Sequence, residues 1–283
     1  MRDPLARAAY DRAAMPAALR VIHPAPALAV IVLTAALGAI LLIQAGLPLD
    51  ERWLLTIASV AGSQVFTGPT NDLVDRTRDA AAARQEKPIV SGRLSPSAAL
   101  WIASGGLALQ LAASLQLGTL PLLLGVAATA SAAAYNLFLS RTPLSPLPYL
   151  VSFGLLPLWV AAGVGQPLER VLPAVPLAAI FATAAHLANT LRDWEGDAAT
   201  GSRSLAQVLG RRRARLAAVA LATLGGAGGG VALLTGEAGV PSLLLGAGGF
   251  VALAAGSTDE RRLWYAMLLA AVAWTAAWAL STP

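Results

Sequence analysis

Asn71, Asp75 and Asp79 stand four residues apart in the stretch Asn71-Asp72-Leu73-Val74-Asp75-Arg76-Thr77-Arg78-Asp79. On a helix that spacing places them along one face. The same spacing recurs as Asn189, Asp193 and Asp197. Carboxylates this close repel one another unless a cation lies between them. Mg2+ suits the task, because it takes oxygen ligands, keeps some waters and bridges carboxylates to substrate phosphates. Two matching acidic sets suggest a two-sided cage for hard cations, and through them for a phosphate-bearing ligand. One such motif alone could be a charged loop, with Asp75 paired to Arg78 or Asp79 to Arg76. With only fifteen acids in 283 residues, a repeated motif argues for a site.

Basic residues supply the other half of the chemistry. Arg84 and Lys87 follow the first motif, Arg203 follows the second, and Arg141 lies between them. Arg and Lys suit the far side of a metal-held diphosphate. His186 shares a helical face with Asn189, Asp193 and Asp197. A lone histidine in an apolar stretch reads first as a hydrogen-bonded packing residue.

The elements that must hold these groups are apolar helices. The chain is 57% hydrophobic and 12% charged, with a mean hydropathy of +0.65; soluble domains carry roughly 25% charged residues. Apolar segments at 24–47, 53–71, 96–116, 118–139, 146–166, 170–192, 214–235, 238–257 and 263–281 each approach the roughly 20 residues a helix needs to cross hydrocarbon. The expected fold is all-α, a polytopic membrane protein of nine transmembrane helices around a central cavity. Residues 1–23 read as a polar, basic cytoplasmic lead-in and 24–283 as the membrane domain. Both acidic motifs fall at the ends of apolar helices, the second and the sixth.

Charge sets the orientation. With the N-terminus cytoplasmic, only Arg52 and Arg170 of the twenty basic residues fall outside the cytoplasmic segments. That is the positive-inside pattern, and it accounts for a pI near 10.4 without any nucleic acid. Both motifs land on the cytoplasmic side, as a shared site requires. The absence of cysteine removes disulfide and thiolate chemistry. The glycine clusters 225–230 and 246–249 lie within spans and read as close helix contacts. A phosphate-binding loop would need a preceding strand and a following Lys-Ser/Thr.

Asn71-Asp72-x-x-Asp75-x-x-x-Asp79, followed by Lys87-Pro88-Ile89-Val90-Ser91-Gly92-Arg93-Leu94-Ser95, resembles the first signature of the UbiA superfamily of intramembrane prenyltransferases. Asp193-x-x-x-Asp197-x-x-x-Gly201-x-x-Ser204-Leu205 resembles its second. Tyr135 to Arg141 is similar to its tyrosine-and-basic motif between helices 4 and 5. The resemblance implies a cavity open sideways to lipid. It implies Mg2+ held by Asn71, Asp75, Asp79, Asp193 and Asp197, with a prenyl diphosphate bound to the metal. It further implies Asp72, Asp75, Asp193 and Asp197 as catalytic residues. Asn71, Lys87, Tyr135, Arg141, Asn189 and Arg203 would be substrate-side groups. Ser140 stands where the family often has lysine, which removes one expected diphosphate contact.

The chemistry expected is ionisation of an allylic diphosphate, with the cation kept from water in an apolar cavity. Aromatic faces can steady such a cation; Phe66, Tyr135, Phe138, Tyr149, Phe153, Trp159, Phe181 and Trp194 are the candidates. The prenyl group then passes to an aromatic or lipid-like acceptor. A terpene cyclase would keep the fold and trap the cation with the chain's own double bonds. An ion-coupled transporter would place its charges at mid-bilayer instead. The expected home is a bacterial cell membrane, and the partners are a prenyl diphosphate, a hydrophobic acceptor and membrane lipid.

Overall fold

The computed structural model describes residues 15–199, 201–235 and 238–281. The expected lead-in at 1–23 is therefore described only from residue 15, and it contains one helical turn, Ala17–Arg20. Nine helices of at least 17 residues follow among the described residues: α1 Pro24–Gln44, α2 Glu51–Ala81, α3 Pro96–Leu117, α4 Thr119–Leu137, α5 Leu147–Gly163, α6 Ala174–Arg192, α7 Arg211–Thr235, α8 Val240–Gly256 and α9 Glu260–Ser281.

Among the described residues, five of them are long and apolar enough to cross a membrane: α1, α3, α4, α6 and, within α7, Arg211–Val231. α5 and α8 are apolar but shorter. Among the described residues, five of the nine expected spans meet this measure of length and composition, and α2 does not. For α2 the reason is its polar stripe of Ser59, Ser63, Gln64, Thr67 and Asn71. α2 also runs past the expected end at 71 to Ala81, so the first acidic motif is helical throughout.

Local chemistry sets the helix limits. The Asp50 side chain caps α2 by accepting from the Trp53 amide at 3.2 Å, and Ser95 caps α3 through the Ala98 amide at 3.1 Å. Prolines occupy the first turns of α1, α3, α5 and α8, where their missing N–H costs nothing. Gly118, at φ +117°, separates α3 from α4 in a single residue.

The helices run alternately up and down. At the motif end, the α4–α5 and α6–α7 loops meet where the Arg203 amide donates to the Arg141 carbonyl at 3.0 Å. Arg215 donates to Thr258 in the α8–α9 turn at 3.2 Å. At the opposite end, Arg52 Nη2 donates to the Leu117 carbonyl at 3.0 Å and the Ala162 carbonyl at 3.4 Å. Arg52 thus caps the C-terminal ends of α3 and α5, where a cation complements the helix dipole. This gives one of the two basic residues outside the positive-inside pattern a role in the fold.

The second half of the bundle packs α6 to α9 around Leu187, Leu191, Leu253, Leu263 and Met267. Both glycine clusters receive one indole: a Cβ on Gly226 or Gly249 would come within 2.3 Å of Trp274, whose Nε1 donates to the Gly246 carbonyl at 3.0 Å. In the first half, α1, α2, α4 and α5 meet around Val30, Val60, Ala128 and Trp159.

Candidate functional site

The acidic motif of α2 divides between two faces. Asn71 Nδ2 donates to Asn136 Oδ1 of α4 at 3.3 Å, and Asn136 Nδ2 donates to the Thr67 carbonyl at 3.0 Å. Asp75 pairs with Arg78 and accepts from Arg141 Nη2 at 3.2 Å. Asp72 and Asp79 face elsewhere, and both are buried. Lys87 Nζ lies 2.7 Å from Asp72 and 3.0 Å from Asp79, so one ammonium bridges the two carboxylates. The second contact is a charge pairing rather than an aligned hydrogen bond. His23 Nε2 adds a contact to Asp72 at 2.9 Å, and Arg84 Nη1 donates to Asp79 at 3.3 Å.

The geometry of the helix explains the division. Eight residues exceed two turns, so Asp79 is rotated by about 80° from Asn71. Seven residues bring Asp79 back over Asp72. The expectation of one face for Asn71, Asp75 and Asp79 gives way to two pairs, Asn71 with Asp75 and Asp72 with Asp79.

The second motif spans a break. α6 ends at Arg192, Asp193 is non-helical at φ −97°, and a short helix Trp194–Ala199 follows. The backbone bonds nevertheless continue in helical register, from Asp193 to Asn189 at 3.2 Å and from Asp197 to Asp193 at 3.1 Å. Asp193 is clasped by the Nε and Nη2 of Arg192, both at 3.1 Å. Burial pushes the Asp197 carboxyl above its ordinary value, and the Asp193 charge adds to this. Arg84, Arg78 and Arg141 oppose it.

Those three arginines join the motifs. Arg84, bonded to Asp79, lies against the second motif: a Cβ on Gly196 would be 2.7 Å from its Nη2. Arg141, bonded to Asp75, accepts the Arg203 amide through its own carbonyl. The Arg203 side chain is exposed, and its backbone makes the link. Among the described residues no three acids or histidines stand close enough to hold a metal ion by themselves. Instead, guanidiniums alternate with carboxylates.

Comparison with known proteins settles the family. A model of the UbiA prenyltransferase family matches residues 30–281. The chain belongs to this family. No curated protein matches it significantly in sequence. Among solved structures, a UbiA homologue from Aeropyrum pernix K1 in its apo form shares a TM-score of 0.71 at 20% identity, covering 87% of this chain and 94% of that one. A UbiA homologue from Archaeoglobus fulgidus bound to GPP and Mg2+ gives 0.69 at 18%, covering 94% and 100%. A structure concerning digeranylgeranylglyceryl phosphate synthase gives 0.70 at 16%, covering 94% and 97%.

In this UbiA chain, a hydroxyl holds the loops together at the motif end. Ser145 Oγ accepts the Leu205 amide at 3.2 Å and lies 3.0 Å from His186 Nε2. Ser145 and His186 are both fully buried. His186 is thus a hydrogen-bonded packing residue, with the Tyr149 ring centroid 4.6 Å away and Tyr135 edge-on at 5.6 Å. Tyr135 also lies edge-on to Tyr149 at 5.3 Å and feels the charges of Asp193 and Asp197.

Removing the Ser145 hydroxyl leaves a buried amide and a buried imidazole nitrogen unpaired, at a cost of about 1–3 kcal/mol each. Ser145→Ala is expected to lower the melting midpoint, and Ser145→Thr to restore part of it. An unchanged midpoint in Ser145→Ala would remove Ser145 from the account of loop placement.

The sequence did not single out His23, Asn136 or Ser145. Asn136 carried a usable signal, since a polar amide within an apolar span calls for a partner. For His23 and Ser145 the sequence held no sign of the partners, which are distant in the chain.

Beneath Asn71, α1, α2, α4 and α5 enclose a cavity of about 50 Å³. Thr67, Gln64, Ala132, Phe153, Leu156 and Trp159 contribute to its wall. Thr67 connects it to the site, through its carbonyl bond to Asn136. The Ser63, Thr67 and Ser152 hydroxyls donate to helix carbonyls at 2.7–2.9 Å, which spends their protons within the wall. Of the other aromatic candidates, Phe181 packs on Trp274, Trp194 lies under Arg211, and Phe138 is exposed.

Proposed function

We propose that this chain is a Mg2+-dependent intramembrane prenyltransferase, which ionises an allylic prenyl diphosphate and passes the prenyl group to a hydrophobic acceptor. The meeting of the two acidic motifs through Arg78, Arg84 and Arg141 carries the reading, because it joins anion-binding and cation-binding groups above an apolar cavity. Family membership, and the GPP and Mg2+ in the Archaeoglobus homologue, support it. The site faces the cytoplasm of a cell membrane, in keeping with the positive-inside pattern.

The donor set fits Mg2+. Asn71, Asp75, Asn189, Asp193 and Asp197 offer only oxygens where a ligand is needed, and the soft and imidazole ligands that would select other metals are absent or tied elsewhere. Asp75, Asp193 and Asp197 would hold the ion, which supplies charge neutralisation for a departing diphosphate. Arg141 and Arg84 reach the same space and suit the phosphate oxygens. Lys87, held by Asp72 and Asp79, positions the α2–α3 loop that carries Arg84. The cavity keeps water from the allylic cation, and Phe153 and Trp159 in its wall offer ring faces to it. At its present volume it is far below the roughly 300–1,000 Å³ of small-molecule sites, so α1, α2, α4 and α5 must part to admit a chain.

The test uses purified protein in detergent with allylic diphosphates of ten, fifteen and twenty carbons. Binding is expected to require Mg2+, to vanish with EDTA and to return when Mg2+ is restored. Pyrophosphate release is expected only when an acceptor from a panel is present. Catalytic release of cyclic hydrocarbon or terpene alcohol without any acceptor would replace the transferase with a cyclase.

A further inference from the structure

We infer that Arg78 is an exchangeable counter-ion of the site: it neutralises Asp75 in the resting protein and transfers to the phosphate oxygens when a divalent cation takes Asp75. The inference rests on the proposed function and names a residue that neither the acidic motifs nor the basic loops account for.

Three observations carry it. Arg78 lies one turn beyond Asp75 on α2 and pairs with it directly, on the motif face that also receives Arg141. Its surroundings include carboxylates of both motifs, Asp79 and Asp197, together with the guanidiniums of Arg84 and Arg141. Its Nε is buried with no hydrogen-bond partner in the structure. A buried guanidinium N–H without an acceptor is costly, and this one lies where an anion is expected.

The charges explain the exchange. Four guanidiniums and four carboxylates, Arg78, Arg84, Arg141 and Arg192 with Asp75, Asp79, Asp193 and Asp197, balance one another. A divalent cation arriving alone must displace a guanidinium and leave it beside two others, which is unfavourable. A divalent cation arriving with a diphosphate brings the acceptors that the displaced guanidinium needs, in a geometry its planar fork matches. Metal and diphosphate therefore bind as a pair, and each strengthens the other.

The test reads binding, not turnover. Mn2+ binding to the detergent-purified protein is followed by electron paramagnetic resonance, with and without inorganic pyrophosphate. In the wild type, Mn2+ alone is expected to bind weakly and pyrophosphate to tighten it strongly. In Arg78→Gln, Mn2+ alone is expected to bind about tenfold more tightly, since a partly exposed ion pair no longer competes for Asp75. The gain from pyrophosphate is expected to fall by a similar factor. Arg78→Lys is expected to keep the charge but recover only part of the pyrophosphate gain, and a melting midpoint near the wild-type value shows that the fold is intact.

Unchanged or weaker Mn2+ binding in Arg78→Gln overturns the counter-ion role. If Arg78→Gln tightens Mn2+ while pyrophosphate has no effect even in the wild type, Arg78 competes with the metal for Asp75, but its transfer to phosphate oxygens is overturned together with the diphosphate site of the proposed function. Those two results separate this inference from the proposed function on which it rests.

Discussion

Asp75→Asn and Asp193→Asn are each expected to lower turnover by about 10²–10³-fold or more, the scale of losing one charge-stabilising group in a preorganised site. Asparagine keeps the shape of aspartate and removes only its charge, so the fold is expected to survive. Asp75 is 18% exposed and Asp193 40% exposed, and neither is sealed in the core. Asp72→Asn is the informative contrast. Asp72 faces Lys87 and His23, away from Asp75, and is 2% exposed. Removing its charge leaves the Lys87 ammonium, 15% exposed, with Asp79 as its remaining carboxylate, at a cost below the about 3–5 kcal/mol of breaking a fully buried pair. Asp72→Asn is therefore expected to lower the melting midpoint most and to reduce turnover by displacing the loop of Arg84. Pyrophosphate release and thermal melting on the same three preparations check this. Full turnover in both Asp75→Asn and Asp193→Asn would remove the metal assignment. An Asp72→Asn variant that melts normally and fails only in catalysis would give Asp72 the catalytic role that the resemblance implies.

The candidate site was legible in the sequence as far as the spacing rules reach. Hydropathy located all nine long helices to within a few residues at most ends, because their apolar runs are separated by charged or Pro/Gly-containing loops. It did not locate the end of α2. There the apolar run stops at 71, while the helix continues to Ala81 on good helix formers and internal ion pairs such as Asp75 with Arg78. The four-residue repeat marked both motifs and the end of the bundle they share. It could not show that Asn71 and Asp79 diverge, because the error of a four-residue spacing against a 3.6-residue turn grows with each step. Nor could it show the partners. Arg84 against Gly196, Ser145 against Leu205 and His23 against Asp72 depend on how distant elements pack. The alternation of guanidinium with carboxylate is a property of the folded site that no local pattern contains.

Gly62→Val is expected to destabilise the protein by about 3 kcal/mol or more, the upper range for overpacking, and to lose activity with it. α2 and α3 touch backbone to backbone. A Cβ on Gly62 would stand 2.5 Å from the Gln110 amide nitrogen and 2.6 Å from the Gly106 carbonyl oxygen, and one on Gly106 would stand 2.7 Å from the Phe66 nitrogen. No side chain can rotate away, so the helices themselves must separate. Separation would break the bond between Ser59 and Ser114, 2.6 Å apart in the buried seam. In a membrane, where lipid gives helices no hydrophobic reason to associate, close approach of small residues supplies much of the attraction. The consequence reaches the site because α2 is continuous from Gly62 to Asp79. Shifting α2 away from α3 moves Asn71 relative to Asn136 and Asp75 relative to Arg141, both held from α4 and the loop after it. Gly62→Ala is expected to do the same to a smaller extent. Melting and turnover measured together across Gly, Ala and Val should fall in step. A Gly62→Val protein that melts like wild type and turns over normally would mean that α2 and α3 do not pack as closely as this.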